Sequence, residues 1–356
     1  MDASSAIRWR RVGALAAISI MLAYLETFIP IPIPGVKLGL ANICVLAALD
    51  QGDVGAAVSI AWIKVLVTGI LFASPVTFAY SVVGTALSLM LAIPLTRLRT
   101  MRLWMASIAS SVAHEMGQVL VASMLLKTDA VFYLVFPLMV SAVVCGAISG
   151  ALATRMAHAL GESANKVTGD DTWEAPLPVR PPIPVLVAFG LYALVCVLSF
   201  RTDDIWLLTA LFAGALVSCA LTHAPASRLA GALRVTFAMG LMYLVLSLVT
   251  TGSPALAGVC VSTVRLGFIA TGGVALMRAL EGCDLAASLA WALLPLRRLG
   301  ADTDGFVCAL TVALKEVPTI SAVVRSHMQG RGRRPSVKDL PHLVSEISRD
   351  LVERLF

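Results

Sequence analysis

Apolar runs long enough to cross a bilayer recur along most of this chain, and that recurrence restricts its fold more than any other feature. A crossing helix needs roughly 17–25 apolar residues. Hydrocarbon offers the backbone no hydrogen-bond partner, so a spanning segment must be a helix or part of a closed barrel. Barrel strands alternate apolar and polar side chains, and that alternation does not occur here. The expectation is an all-α, polytopic membrane protein. Its charged fraction of 13% is about half the roughly 25% of a soluble domain.

We read about ten transmembrane helices, at 12–29, 38–49, 54–73, 78–95, 103–126, 131–153, 183–200, 205–221, 235–251 and 255–277. The segment 38–49 is short and reads either as a span or as a tilted or re-entrant piece. With a cytoplasmic N-terminus, the inner segments collect Arg8, Arg10, Arg11, Arg97, Arg155 and every basic residue from Arg278 onward. The outer loops hold only Lys37, Lys127 and Arg201. That asymmetry predicts a multi-pass protein of the cell membrane with both termini cytoplasmic. Topology and anionic lipid account for the net charge of +6 without any nucleic acid. The N-terminal RWRR and the apolar run after it have no small-residue cleavage site, so they read as a retained first helix. Seven scattered cysteines show no Cys-x-x-Cys and no metal-like spacing, and they read as buried packing residues.

A polar, proline-rich segment at 158–182 divides the spans into bundles of six and four. It reads as a cytoplasmic linker between residues 1–157 and 183–356. The two parts share no internal repeat and look like two different proteins joined. From Glu281 onward, short apolar stripes alternate with charges and are interrupted by Pro295, Pro318, Pro335 and Pro341. This pattern predicts amphipathic helices on the cytoplasmic face, the last at 336–356.

Ionisable groups inside a bilayer cost at least about 2–3 kcal/mol each and point to function by default. Lys64 and His114 fall near the middle of their spans, and Gln118 lies one turn beyond His114 on the same face. Glu26 and Asn42 fall near the outer ends of theirs. Together Glu26, Asn42, Lys64, His114 and Gln118 suggest a substrate pocket open to the outside, suited to an acidic or phosphorylated head. The plainer alternative is that Lys64 pairs with Glu26 or Glu115 and simply holds helices together. Glu115 is rotated about 100° from His114 and need not share the site. Arg265 is the one charge inside a span of the second half, placed to snorkel or to pair with a helix end.

No phosphate-binding G-x-x-x-x-G-K-[ST] loop occurs, nor a carboxylate cluster of the kind that holds magnesium and diphosphate. The expectation is a chain that is not an enzyme and holds no cofactor or metal.

Residues 20–125 resemble the Gx family, often labelled heptaprenyl diphosphate synthase component I. The resemblance rests on LETFIPIPIPGVKLGLANI (25–43), the span around Lys64, GTALSLM (84–90) and AHEMGQ (113–118). That family is similar to the substrate-binding S components of energy-coupling-factor transporters. Residues 183–332 are similar to the T component, the membrane scaffold of the same transporters, most of all over 285–332. In that family an Ala-Arg-Gly triplet ends a helix and docks into the ATPase. The equivalent here is Gly330-Arg331-Gly332. The resemblance implies ABC-type ATPase subunits as cytoplasmic partners, a small-molecule substrate, and membrane lipids around the chain. Two departures stand out: Gly330 replaces alanine, and the family's second arginine motif has no counterpart after Gly332, Arg354 being a poor substitute. Small residues on the first span, Gly13 and Ala17, suit a close contact between the two halves. The competing expectation is a non-catalytic membrane accessory subunit of prenyl diphosphate or quinone biosynthesis.

Overall fold

A computed structural model describes residues 3–26, 39–71, 75–98, 101–126, 129–163, 183–251, 256–279 and 302–330. Every regular element among them is helical. In chain order these are α1 (Ala3–Glu26), a 3-10 turn (Leu40–Asn42), α2 (Ile43–Asp50), α3 (Val54–Leu71), α4 (Pro75–Arg97) and α5 (Leu103–Leu126). A second 3-10 segment (Asp129–Leu134) leads into α6 (Val135–Ser163), and α7 (Ile183–Ser199), α8 (Ile205–Leu221), α9 (Ala226–Thr251), α10 (Leu256–Ala279) and α11 (Thr303–Gly330) follow.

Four of these helices are long and apolar enough to cross a membrane: Phe78–Arg97, Val131–Ala157, Ala226–Val249 and Leu256–Ala279. The shorter apolar helices are Leu40–Asp50, Val54–Gly69, Gly190–Ser199 and Ile205–Leu221. Arg10, Arg11 and Glu26 bracket the apolar part of α1, and serines, His114, Glu115 and Gln118 dilute that of α5. Among the described residues, four of the expected ten spans meet that length and apolarity. Large side chains on these helices face outward: Phe136 is 78% exposed and Val249 74% exposed. In water such a surface would aggregate, whereas a bilayer supplies it with an apolar neighbour.

Two apolar clusters hold the chain together, and both cross the 158–182 boundary. The first joins α1, α2, α3 and α6 to Cys308, Ala309, Leu310 and Ala313 of α11. The second joins the end of α5 (Val119, Ala122, Leu126) to Ala215 of α8, Tyr243 and Leu246 of α9, and Leu266 to Ile269 of α10. At the α1–α11 contact the backbones come close. A β-carbon built on Gly13 would stand 2.7 Å from the Ala309 carbonyl oxygen and 2.7 Å from Val312 Cβ. Ala17, also singled out from the sequence, is fully buried in the same cluster.

Polar contacts fix the start of both helices. Trp9 Nε1 donates to Asp302 Oδ2 at 2.8 Å, while Asp302 Oδ1 accepts the Gly305 N–H at 2.9 Å and so caps α11. One residue earlier, Arg8 forms a two-pronged pair with Asp53 in the α2–α3 turn, at 3.0 and 2.8 Å. This pairing holds the Asp53 carboxyl below its ordinary value and raises the Arg8 guanidinium.

Three expectations need correction. Helix α6 continues to Ser163, into the segment expected as linker, because HALGES contains good helix formers and no proline. Pro318 does not interrupt α11, which runs through it to Gly330. A proline removes one backbone hydrogen bond at a cost of about 3 kcal/mol, and a helix of 28 residues survives that loss. Cys260 is exposed, although Cys44, Cys145, Cys219 and Cys308 are buried as expected. Cys283 and the helix expected at 336–356 lie outside the described residues.

Candidate functional site

The 3-10 turn Leu40–Asn42 is the centre of the candidate site. Gly39 precedes it with φ of 75°, a left-handed backbone that glycine adopts without strain. The turn and α2 together make an apolar helix of Leu40–Asp50. At 1.5 Å per residue this rises about 16 Å, roughly half the hydrocarbon thickness. Ile43 to Leu49 are buried on every side, and the helix emerges at the exposed Asp50. Of the two alternatives for 38–49, a full span is the one this length does not meet.

Each residue of the turn is gripped by a different polar side chain. Glu26 Oε1, at the end of α1, accepts the Leu40 N–H. Ser19 Oγ, fully buried on α1, donates to the Ala41 carbonyl. Lys64 Nζ, from α3, donates to Asn42 Oδ1 at 2.5 Å. Lys64 is only 7% exposed, so its ammonium is held inside the bundle beside an amide oxygen. A buried cation of this kind attracts an acceptor-rich or anionic group. Asn42 is thus a partner of Lys64 that the sequence reading did not pair with it.

His114 and Gln118 are placed differently. Both are half-buried on α5. The imidazole of His114 lies against α4, where a β-carbon on Gly84 would stand 2.8 Å from His114 Cε1. Gly117 meets the same spot, its missing β-carbon 2.9 Å from Gly84 Cα. The glycine of GTALSLM thus lets α4 and α5 cross closely with the imidazole between them. The structure brings Asn42 and Lys64 together with the Glu26 contact and seats His114 at the α4–α5 crossing.

Glu115 is the residue that sequence reasoning set aside. It is 7% exposed, more deeply buried than its neighbour His114. Glu115 and Glu26 both lie within electrostatic reach of Cys145 on α6. A polar seam between α5 and α6 also went unnoticed: Ser107 Oγ donates to the Gly146 carbonyl at 2.7 Å and meets Ser149 Oγ at 3.2 Å. Gly146 and Gly150, four residues apart on α6, carry the signal for that seam, since small residues at this spacing let membrane helices approach. Among the described residues no three His, Cys, Asp or Glu side chains form a metal-holding group.

In the second half, Arg265 pairs with a helix end, one of the two placements open to it. Arg265 Nε donates to the Ser199 carbonyl at the end of α7, at 3.0 Å. Its Nη2 donates to the Thr202 carbonyl and to Asp203 Oδ1, both at 2.7 Å. Gly330 is the last residue of α11, and Arg331 and Gly332 lie outside the described residues.

Fold and site define a helical protein of membrane type, with a buried lysine, a buried glutamate and a half-length helix in its N-terminal part. Residues 15–156 match the family model described as heptaprenyl diphosphate synthase component I. The match takes in α1 to α6 as far as Met156, including Glu26, Asn42, Lys64, His114 and Gln118. No curated protein and no solved structure matches the chain.

Proposed function

We propose that this chain is the fused substrate-binding and scaffold membrane subunit of an energy-coupling-factor (ABC-type) importer. Its cargo is a small vitamin-like or isoprenoid- or quinone-related molecule, and separate ATPase subunits drive it. About ten spans in bundles of six and four, with both termini cytoplasmic, complete the picture. The observation that carries the proposal is the path from α11 to the polar turn. Helix α11 ends at Gly330, next to Arg331, and its other end lies along α1 at Gly13 and Trp9. The far end of α1 is Glu26, which holds Leu40 of the turn that carries Asn42 and meets Lys64. In this proposal, movement of α11 by the ATPases is passed to the substrate site through α1, against which α11 packs. Glu26, Asn42, Lys64, His114 and Gln118 supply the binding groups, with Glu115 as a further buried carboxylate.

Co-purification tests this. ATPase subunits are expected to accompany the full-length chain from native membranes. Arg331→Glu is expected to reduce their recovery by about thirtyfold or more, since breaking a charge pair at an interface costs roughly 2–5 kcal/mol. Retention of the ATPases by Arg331→Glu defeats the proposal.

The family match over 15–156 favours a second reading. In it, the chain is a non-catalytic membrane accessory of prenyl diphosphate or quinone biosynthesis, and prenyl-synthase subunits come down in place of ATPases. Both readings require a ligand at Lys64. Lys64→Met is expected to abolish retention of the small molecule seen by mass spectrometry after gentle extraction. Some thermal stability should be lost as well, about 1–3 kcal/mol, because Asn42 Oδ1 is left without its donor. Undiminished ligand on Lys64→Met removes the site from both.

A further inference from the structure

At the opposite end of α1 from the polar turn, a cleft of about 260 Å³ opens between the first turns of α1 and the α2–α3 turn. Its floor is apolar, formed by Val12 and Leu15, and its lip is polar, formed by Arg8, Arg11, Gln51 and Asp53. We propose that this cleft binds the headgroup of an anionic phospholipid from the cytoplasmic leaflet. The volume falls short of the roughly 300 Å³ at which pockets for whole small molecules begin, so it suits a fragment whose remainder lies elsewhere. A phosphodiester with its glycerol is such a fragment, and its acyl chains continue into the bilayer. Beside the mouth, Ile7 is 43% exposed and extends the apolar floor outward.

Charge selects the ligand. Two guanidiniums on the lip face one carboxylate and one neutral amide, leaving the lip net positive. Arg11 Nη2 reaches Gln51 Oε1 at 3.2 Å. The Arg8 and Asp53 side chains are 47% and 37% exposed, so their pair remains accessible to a third group. A phosphate takes the planar fork of an arginine as readily as a carboxylate does. Asp53 therefore competes with the lipid for Arg8. The charge asymmetry of the loops puts this lip on the cytoplasmic side, where the anionic lipids are. The site stands whether the protein imports a substrate or serves a synthase.

The test is native mass spectrometry of the full chain equilibrated with equal phosphatidylglycerol and phosphatidylcholine. Wild type is expected to retain phosphatidylglycerol preferentially. Arg11→Gln should lower that preference about fivefold, the effect of one basic residue near a charged membrane surface. Asp53→Asn should raise it, because the amide still caps α3 through Ala56 but no longer neutralises Arg8. That opposite sign separates the proposal from simple misfolding. Equal retention of the two lipids by wild type, no loss with Arg11→Gln, or a loss with Asp53→Asn overturns it. So does displacement of the lipid by millimolar inorganic phosphate, which would assign the cleft to a soluble anion.

Discussion

Gly13→Val lowers the thermal stability of the detergent-solubilised protein and loosens α11 from α1. The added side chain has no room: its β-carbon alone would stand 2.7 Å from the Ala309 carbonyl oxygen and from Val312 Cβ. The obstruction is partly backbone, so no rotamer change relieves it and the helices must separate. Overpacking of this kind costs about 1–3 kcal/mol. Separation also strains the Trp9–Asp302 hydrogen bond, which joins the same two helices. Gly190→Ala and Gly214→Ala provide the contrast, since nothing lies within 4 Å of a β-carbon at either position. Alanine there removes backbone freedom from a helix and should leave stability unchanged or raise it by up to about 1 kcal/mol. A thermal-shift series on the three variants decides the matter. If Gly13→Val melts with Gly214→Ala, the α1–α11 contact is not the close junction described. Within the import proposal, Gly13→Val would also weaken the link between ATP hydrolysis and the substrate site.

Arg265→Met is the second substitution with a large expected effect. The guanidinium is fully buried and joins α10 to the end of α7, where helix carbonyls have no partner of their own. It donates to the carbonyls of Ser199 and Thr202, and it stands 5.4 Å from the centre of the Phe200 ring. Methionine fills similar space but donates nothing, and each orphaned acceptor costs about 1–3 kcal/mol. Asp203→Asn should cost far less. Its carboxylate is 68% exposed and recovers water when the pair is broken, so less than about 1 kcal/mol is expected. Arg265→Lys falls between, retaining the charge without the fork. Thermal unfolding of the three variants orders them. Equal losses for Asp203→Asn and Arg265→Met would mean that the ion pair, and not the capping of α7, stabilises this corner.

Several features were legible in the residues alone. Gly13 and Ala17 stood out as a contact face because small residues on a membrane helix have few other uses, and both lie at the α1–α11 junction. Arg265 had to find acceptors because a bare cation in hydrocarbon is too costly to persist. The N-terminal family match agrees with the motifs at 25–43, 84–90 and 113–118. The partners of the polar groups were not legible. Lys64 meets Asn42, twenty-two residues away, because a 3-10 turn after Gly39 reorients the chain there. Glu115 is more buried than His114 because α5 packs against α4 where Gly117 meets Gly84.

The sequence by itself determined that this protein is helical and apolar, and it placed lysine, histidine and glutamate within apolar segments. The bilayer sets those outcomes residue by residue, through the cost of an unpaired peptide group or an uncovered charge, so composition and spacing suffice. Only the tertiary structure decided how the short segment at 38–49 is placed, which carboxylate turns inward and which amide receives the lysine. Those outcomes depend on the rotation and depth of each helix, and these are set by the fit of side chains on neighbouring helices far away in the chain.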